Sequence, residues 1–205
     1  MAQTVAIGAF NPYIVTPGWL VRYGFYGQIG VVNIQLVPIG EGAAFTFGST
    51  RWQVDNQRLS VSSSDRNVDC GGLVSRVLQL LPHTPVGAVG HNFHFVTTKE
   101  DWAVRPTPRL GSRSLFDLED AEQERWVGAF RRDGVRIEAT LACEVDAVAV
   151  LFNHHRTMNL ERMFEAKTAE EQIQPAIAAA QLFQADFAVS RSLLRSLFEM
   201  EMPDE

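Results

Sequence analysis

The sequence predicts an α+β fold, in which helices pack on one face of a mainly antiparallel β-sheet and the chain ends in a helical segment. Several segments alternate apolar and polar residues, which is typical of strands with one buried face. Short connections rich in turn residues join most of these segments, as in antiparallel sheets. The regular alternation of strand and helix that a parallel, doubly wound sheet requires is absent.

The N-terminal third of the chain contains many of the predicted strands. A strand over residues 4–10 ends at an Asn-Pro turn pair. A helix of two turns follows, because Thr16 and Pro17 supply an N-cap and a first-turn proline, and Gly24 supplies a stop signal. The further predictions are a long strand over 28–37, a strand around Phe45 and Phe47, and a hairpin over 51–62.

The central part of the chain predicts a capped helix and then another strand. Asp69 is the predicted N-cap of a helix that runs to Leu81. The spacing places Leu73, Val77 and Leu80 on one face of that helix. A strand over 86–96 follows, and the segment 102–114 is rich in Pro, Gly and Arg, which predicts irregular structure.

An Asp-Gly pair gives the clearest turn signal in the chain. Asp133 and Gly134 separate two alternating segments, and both residue types tolerate the positive φ angles of a two-residue hairpin turn. A further strand is predicted over 147–153. We therefore expect about eight strands, with most connections short.

The last quarter of the chain is predicted to be helical. Thr168 and Glu171 have the spacing of a capping box, and Pro175 is predicted to interrupt or restart the helix. Beyond it, apolar side chains recur on one helical face and can pack on the sheet or on a partner. This stripe consists of Phe183, Phe187, Leu194 and Leu197.

Length and composition limit the class of protein. The chain has 205 residues, of which 46% are apolar and 20% charged, and this predicts one folded domain over 1–205. The loop at 103–114 is the one candidate for a boundary within it. The formal net charge of −6 argues against extensive contact with a nucleic-acid backbone, which requires a basic surface.

Three features predict a cytoplasmic protein. The chain has two cysteines, far fewer than a disulfide-dependent secreted domain uses. Its N-terminal residues lack the basic and apolar regions of a signal peptide. No apolar run reaches the roughly 20 residues that a membrane-spanning helix needs, so no membrane partner is expected.

Four of the five histidines lie in two strand-associated segments and suggest a divalent metal site. Neutral imidazole is a common zinc ligand, and a bound metal can activate water for hydrolysis. The candidate ligands are His94 together with His154 or His155. Strand parity opposes this site, because His91 and His94 point to opposite faces of a regular strand, as do His154 and His155.

Arginines form the second candidate grouping. If the segment 103–114 folds back near the predicted hairpin, its guanidinium groups form a basic surface for a nucleotide or a single-stranded nucleic acid. Acidic residues within 117–124 would neutralise part of this surface. The arginines assigned to this surface are Arg105, Arg109, Arg131 and Arg132.

Recognised catalytic and phosphate-binding motifs are absent from the sequence. The nearest approach is the run Asp69-Cys70-Gly71-Gly72 at a helix start, where the helix N-terminus would favour the Cys70 thiolate. An ordinary capped helix explains the same residues. Whether the protein is an enzyme therefore stays open at the level of sequence.

Three function hypotheses follow. The leading one is a non-enzymatic interaction or assembly protein of a cytoplasmic microbial system, oligomeric and acting through a protein partner or self-association. The second is a metal-assisted hydrolase or lyase that uses His94 with His154 or His155. The third is nucleotide or single-stranded nucleic-acid binding through the arginines. Only the second requires a cofactor, a divalent metal.

The metal hypothesis makes a direct prediction. Untagged protein should contain a stoichiometric transition metal, measured by elemental mass spectrometry against chain concentration. Because two imidazole ligands would be lost, the double change His94→Ala with His154→Ala should remove the metal while the protein stays folded. Protein without metal that takes up none on dialysis against zinc would contradict the hypothesis.

Overall fold

The structure is a computed structural model that describes residues 1–27, 32–35, 42–98, 109–110, 113–114, 125–132, 135–143, 147–159, 161 and 165–198. The strands are β1 (Ala2–Gly8), β2 (Val32–Gln35), β3 (Ala43–Phe47), β4 (Thr50–Val54), β5 (Arg58–Ser63), β6 (Val86–Thr98), β7 (Arg109–Leu110), β8 (Arg113–Ser114), β9 (Arg125–Arg132), β10 (Val135–Cys143) and β11 (Ala147–Thr157). The helices with described bounds are α1 (Pro17–Arg22), α2 (Cys70–Leu80), α3 (Ala169–Gln181) and α4 (Phe183–Phe198).

The architecture confirms the predicted α+β fold. Within the described residues, nine strands form one sheet in the order β2-β3-β4-β5-β1-β6-β11-β10-β9, and β7 pairs only with β8. The chain divides into two compact units, the first Met1–Asn92 with His155–Gln184 and the second Phe93–His154 with Ala185–Glu205. Strands β6 and β11 contribute residues to both units, which are described in turn.

In the first unit, antiparallel pairing aligns the buried residues of neighbouring strands. Thr4 of β1 lies opposite Val61 of β5, and Val61 lies opposite Trp52 of β4. All three side chains are buried, while Gln3 and Val5 on the other face of β1 are half-buried. Helix α2 contacts β1 and β5 and covers the buried face.

Helix α2 begins where the sequence predicts, but its buried face differs from the predicted one. The Asp69 carboxylate accepts a hydrogen bond from Gly72 N at 2.8 Å and caps the helix. Val77 is buried as predicted, whereas Leu73 is half-buried and Leu80 is exposed. The difference arises because α2 also packs against α3, so that its buried side includes Cys70, Val74 and Leu78.

Helix α1 is anchored through aromatic side chains. Thr16 caps it as predicted by accepting a hydrogen bond from Trp19 N. The Trp19 ring contacts Phe25, whose ring meets Trp52 edge-on at a centroid distance of 5.9 Å. Arg76 of α2 lies over the Phe25 ring, so the segment after α1 is attached to both the sheet and α2.

In the second unit, two facing pairs show that β6 and β11 run antiparallel. The Phe93 ring contacts His154 and the Phe95 ring contacts Phe152, so the residue number rises on one strand as it falls on the other. Strands β9 and β10 form the predicted hairpin, with Arg132 opposite Val135. The turn residues Asp133 and Gly134 lie outside the described residues.

The C-terminal helical segment has the predicted cap but a different break. Glu171 N donates to Thr168 Oγ1 at 3.1 Å, which confirms the N-cap. The Glu171 carboxylate reaches back to the backbone N–H of Lys167. The prediction that Pro175 interrupts the helix is wrong, because α3 continues through it and the break falls at Leu182.

Several predicted segments lie partly or wholly outside the described residues. The predicted long strand over 28–37 is described only as β2. The segment 102–114 is described only in β7 and β8. The prediction of a single domain over 1–205, with the loop 103–114 as its candidate boundary, stays a prediction.

Gly71 provides a test of the packing between α2 and the C-terminal helices. A methyl group at this position would overlap the Ala180 carbonyl oxygen and the Phe183 side chain. We expect Gly71→Ala to lower the free energy of unfolding by about 1–3 kcal/mol despite the better helix propensity of alanine. Urea denaturation measures this change.

The matched control is Gly87→Ala in β6, where an added methyl group meets no described atom within 4 Å. This control should leave stability unchanged or slightly raised, because a strand glycine has more unfolded-state entropy to lose. Equal effects of the two substitutions would show that Gly71 is not a packing constraint.

Candidate functional site

Helix α4 carries two chemically different faces in the second unit. Its buried face presents Asp186 and Ser190, which are one helical turn apart. Its other face presents arginine and serine side chains to an open groove. The polar groups on the two faces therefore differ in their access to solvent.

On the buried face, Asp186 and Ser190 contact the same histidine of β11. His154 Nε2 lies 2.7 Å from Ser190 Oγ, and His154 Nδ1 lies 3.4 Å from Asp186 Oδ1. The carboxylate beside Nδ1 favours a proton on that nitrogen, and in this neutral tautomer the Ser190 hydroxyl donates to Nε2. We call these three residues the His154 cluster.

The His154 cluster is excluded from solvent. His154, Asp186 and Ser190 have relative exposures of 1%, 5% and 0%. The Phe93 ring meets the His154 ring edge-on at 5.7 Å and also contacts Phe187 of α4. The cluster is therefore a polar link between sheet and helix within an aromatic environment, where each hydrogen bond is strengthened by the low local dielectric.

The serine contacts the histidine and the histidine contacts the aspartate, as in a Ser-His-Asp hydrolase, but the surroundings of the cluster differ. In such enzymes a carboxylate orients Nδ1, and Nε2 takes the proton of an accessible serine. Ser190 is inaccessible and lies inside α4, where neighbouring backbone N–H groups are engaged in helical hydrogen bonds. Backbone donors for an oxyanion are therefore not available beside Ser190.

The groove on the other face of α4 is open to solvent and has a volume of about 560 Å³. Its described lining comprises Ala188, Arg191, Ser192, Arg195 and Ser196. We call these residues the α4 groove.

The predicted metal ligands are placed on different faces. In the second unit, His154 shares the face of its ring partner Phe93, whereas His94 follows Phe93 in the strand and so lies on the opposite face. His155 is exposed, and its Nε2 lies 3.3 Å from Thr157 Oγ1. The described residues contain no group of three His, Cys, Asp or Glu side chains that could hold a metal ion.

The arginines predicted to form a basic surface are described only in part. Arg131 and Arg132 are exposed on β9, the strand at one end of the sheet order. Arg131 lies directly opposite Arg136 of β10, and the Arg136 guanidinium forms an ion pair with Glu138 at 3.5 Å. Arg109 begins β7, and Arg105 lies outside the described residues.

The Asp69-Cys70-Gly71-Gly72 run forms the start of α2 and holds no reactive thiol. Burial, together with the adjacent Asp69 charge, raises the pKa of the Cys70 thiol to about 12. Its Sγ lies 3.8 Å from the Ala2 carbonyl oxygen in the interior. Because the thiolate is the nucleophilic form, Cys70 is unreactive at neutral pH.

Comparisons with known proteins supply no assignment. No protein-family model and no curated protein matches the chain. In the part of the chain that the structure describes, no helix is long and apolar enough to cross a membrane. The site must therefore be interpreted from its own geometry.

Sequence reasoning found His154 but missed Asp186, Ser190 and the α4 groove. The sequence contains a signal for these two polar residues. Asp186, Ser190 and Leu194 follow one another at intervals of four, and Leu194 belongs to the predicted apolar stripe. Polar residues inside such a stripe become buried with it and need partners there. Only the structure shows that the partner is His154.

The buried hydrogen bond can be tested with a matched pair of substitutions on α4. Ser190→Ala leaves His154 Nε2 buried without its partner and should lower the free energy of unfolding by about 1–3 kcal/mol. Ser192→Ala makes the same chemical change on the exposed face and should alter stability by less than about 0.5 kcal/mol. Urea denaturation of both variants measures the difference, and similar values would refute a stabilising role for the cluster.

Proposed function

We propose that this protein acts by binding a partner, as a non-enzymatic interaction protein, rather than by catalysis. The observation that carries the proposal is the division of polar groups on α4. The acid–base groups of the His154 cluster face the interior, whereas Ser192, Arg195 and Ser196 of the α4 groove are exposed and Arg191 is half-buried. Binding requires accessible groups, and catalysis requires accessible acid–base groups.

The burial of the apolar stripe supports the same interpretation. Phe183 and Leu194 are almost fully buried, and the Phe187 ring contacts Phe93 and Phe95 within the chain. The stripe therefore packs intramolecularly, which leaves the polar face of α4 for a partner. Self-association through other surfaces remains part of the proposal from sequence.

A serine hydrolase is the rival function, and one observation favours it. The carboxylate–imidazole–hydroxyl contacts of the His154 cluster have the order of a catalytic triad. For this rival to hold, α4 would have to move away from β11 to admit substrate to Ser190. Such movement would break both contacts of His154 before any reaction could begin.

A fluorophosphonate probe distinguishes the two functions, because it labels only a serine that is activated and accessible. We expect native protein to show no labelling at Ser190 by peptide mass spectrometry, with an active serine hydrolase as reagent control. Labelling of Ser190 that persists in Ser192→Ala and disappears in His154→Ala would overturn the proposal and establish a hydrolase.

A further inference from the structure

Two buried polar atoms of the first unit mark a binding site in its interior. Thr4 Oγ1 of β1 and His91 Nε2 of β6 are buried, and neither atom has a hydrogen-bond partner among the described residues. We propose that one water molecule binds between these two atoms and bridges the two strands. The inference goes beyond the proposed binding function, because it concerns the interior of the first unit and not the α4 groove.

The first argument is the direction of β1 and β6, which are neighbours in the sheet. At one end of the pair, Asn92 Nδ2 donates to Gln3 Oε1 at 2.9 Å. At the other end, the backbone N–H of Ala9 donates to the carbonyl oxygen of Pro85 at 3.0 Å. The residue number rises along one strand as it falls along the other, so the two strands are antiparallel.

This direction places Thr4 beside His91. Thr4 follows Gln3 in β1, and His91 precedes Asn92 in β6, so the two residues occupy adjacent positions of the antiparallel pair. Both have a relative exposure of 0%, which places their side chains on the buried face of the sheet. The two polar atoms are therefore a cross-strand pair inside the unit.

The second argument is the cost of leaving a buried polar atom without a hydrogen bond. Such atoms in native proteins almost always have a partner, which is either a protein group or an ordered water molecule. The His91 ring has other contacts, among them the ring of Phe183, which it meets at 79° and a centroid distance of 5.5 Å. That aromatic contact leaves the hydrogen bond of Nε2 to be supplied by another group.

The chemistry of the two atoms selects water as the ligand. The Thr4 hydroxyl can donate one hydrogen bond and accept others, and a neutral imidazole nitrogen donates or accepts according to its tautomer. Water can also do both, so it completes the bonding of His91 Nε2 in either tautomer. A metal ion would need further ligands, and the described residues contain no group of three His, Cys, Asp or Glu side chains for it.

The third argument is the small size of the side chains beside Thr4. Ala2 and Ala6 flank it on the buried face of β1, and both are buried. Cys70 of α2 lies against the same strand, with its Sγ 3.8 Å from the Ala2 carbonyl oxygen. Methyl groups leave space beside the hydroxyl that larger apolar residues would fill, and one water molecule needs only about 10–15 Å³.

A high-resolution crystal structure of the full chain tests the proposal. We expect one water peak within about 2.7–3.2 Å of both Thr4 Oγ1 and His91 Nε2. Thr4→Val replaces the hydroxyl with a methyl group of similar shape, and this variant should lose the water peak, because a buried water molecule needs at least two polar partners. Thr4→Ser keeps the hydroxyl and should retain the peak.

The matched control is Thr46→Val, which makes the same chemical change on β3, at a half-buried position of the same unit. It should leave the water peak at Thr4 in place. Thermal unfolding checks that each variant is folded, and Thr4→Ser together with the native protein decides the question if Thr4→Val does not fold.

Two outcomes would overturn the inference. One is native electron density without a water peak at this position, including the case in which the Thr4 hydroxyl bonds directly to His91. The other is a water peak that persists in Thr4→Val, which would show that the hydroxyl does not hold it. Neither outcome bears on labelling of Ser190, so the two proposals can fail separately.

Discussion

One face of the antiparallel sheet must be covered, because its strands place alternate apolar side chains on the same side. In the first unit this requirement brings α2 against β1 and β5. In the second unit it brings Phe187 of α4 against Phe93 and Phe95 of β6. This burial decides which polar side chains of each helix are exposed, since a helix that covers a sheet buries one side and exposes the other.

The His154 cluster adds directional polar contacts to the apolar contacts that cover the sheet. Hydrophobic contact alone would allow α4 to shift along the sheet or rotate about its axis, because apolar contacts are not directional. A histidine that meets two side chains one turn apart fixes both the rotation and the axial position of the helix. The orientation of the α4 groove towards solvent depends on the same restriction.

Local chemistry made much of the fold predictable. Thr16, Asp69 and Thr168 cap helices because each side chain satisfies a backbone N–H at a helix start, and this rule acts within four residues. The expected break at Pro175 is absent because this residue, the seventh of the thirteen in α3, is flanked by the buried side chains of Ile173, Ala176 and Ile177, and their packing stabilises the helix through it. The buried face of α2 was predicted only in part, since contact with α3 depends on residues about 100 positions away.

The candidate site was less predictable for the same reason. Strand alternation places His94 on the face opposite its neighbour Phe93, because alternation is a local property. The partners of His154 lie 32 and 36 residues further along the chain, and helical spacing alone does not show which strand they meet. The α4 groove depends on which side of the helix is covered, so its arginines carry no distinctive signal in the sequence.

The facing arginines of β9 and β10 have a consequence for colloidal behaviour. β9 ends the sheet order, and Arg125, Arg131 and Arg132 are exposed along it. A second copy that approached β9 edge to edge would bring guanidinium groups of equal charge into proximity, at the strand that ends the sheet among the described residues. Charged side chains on an edge strand oppose edge-to-edge pairing, so the arginines of β9 disfavour extension of the sheet by further copies.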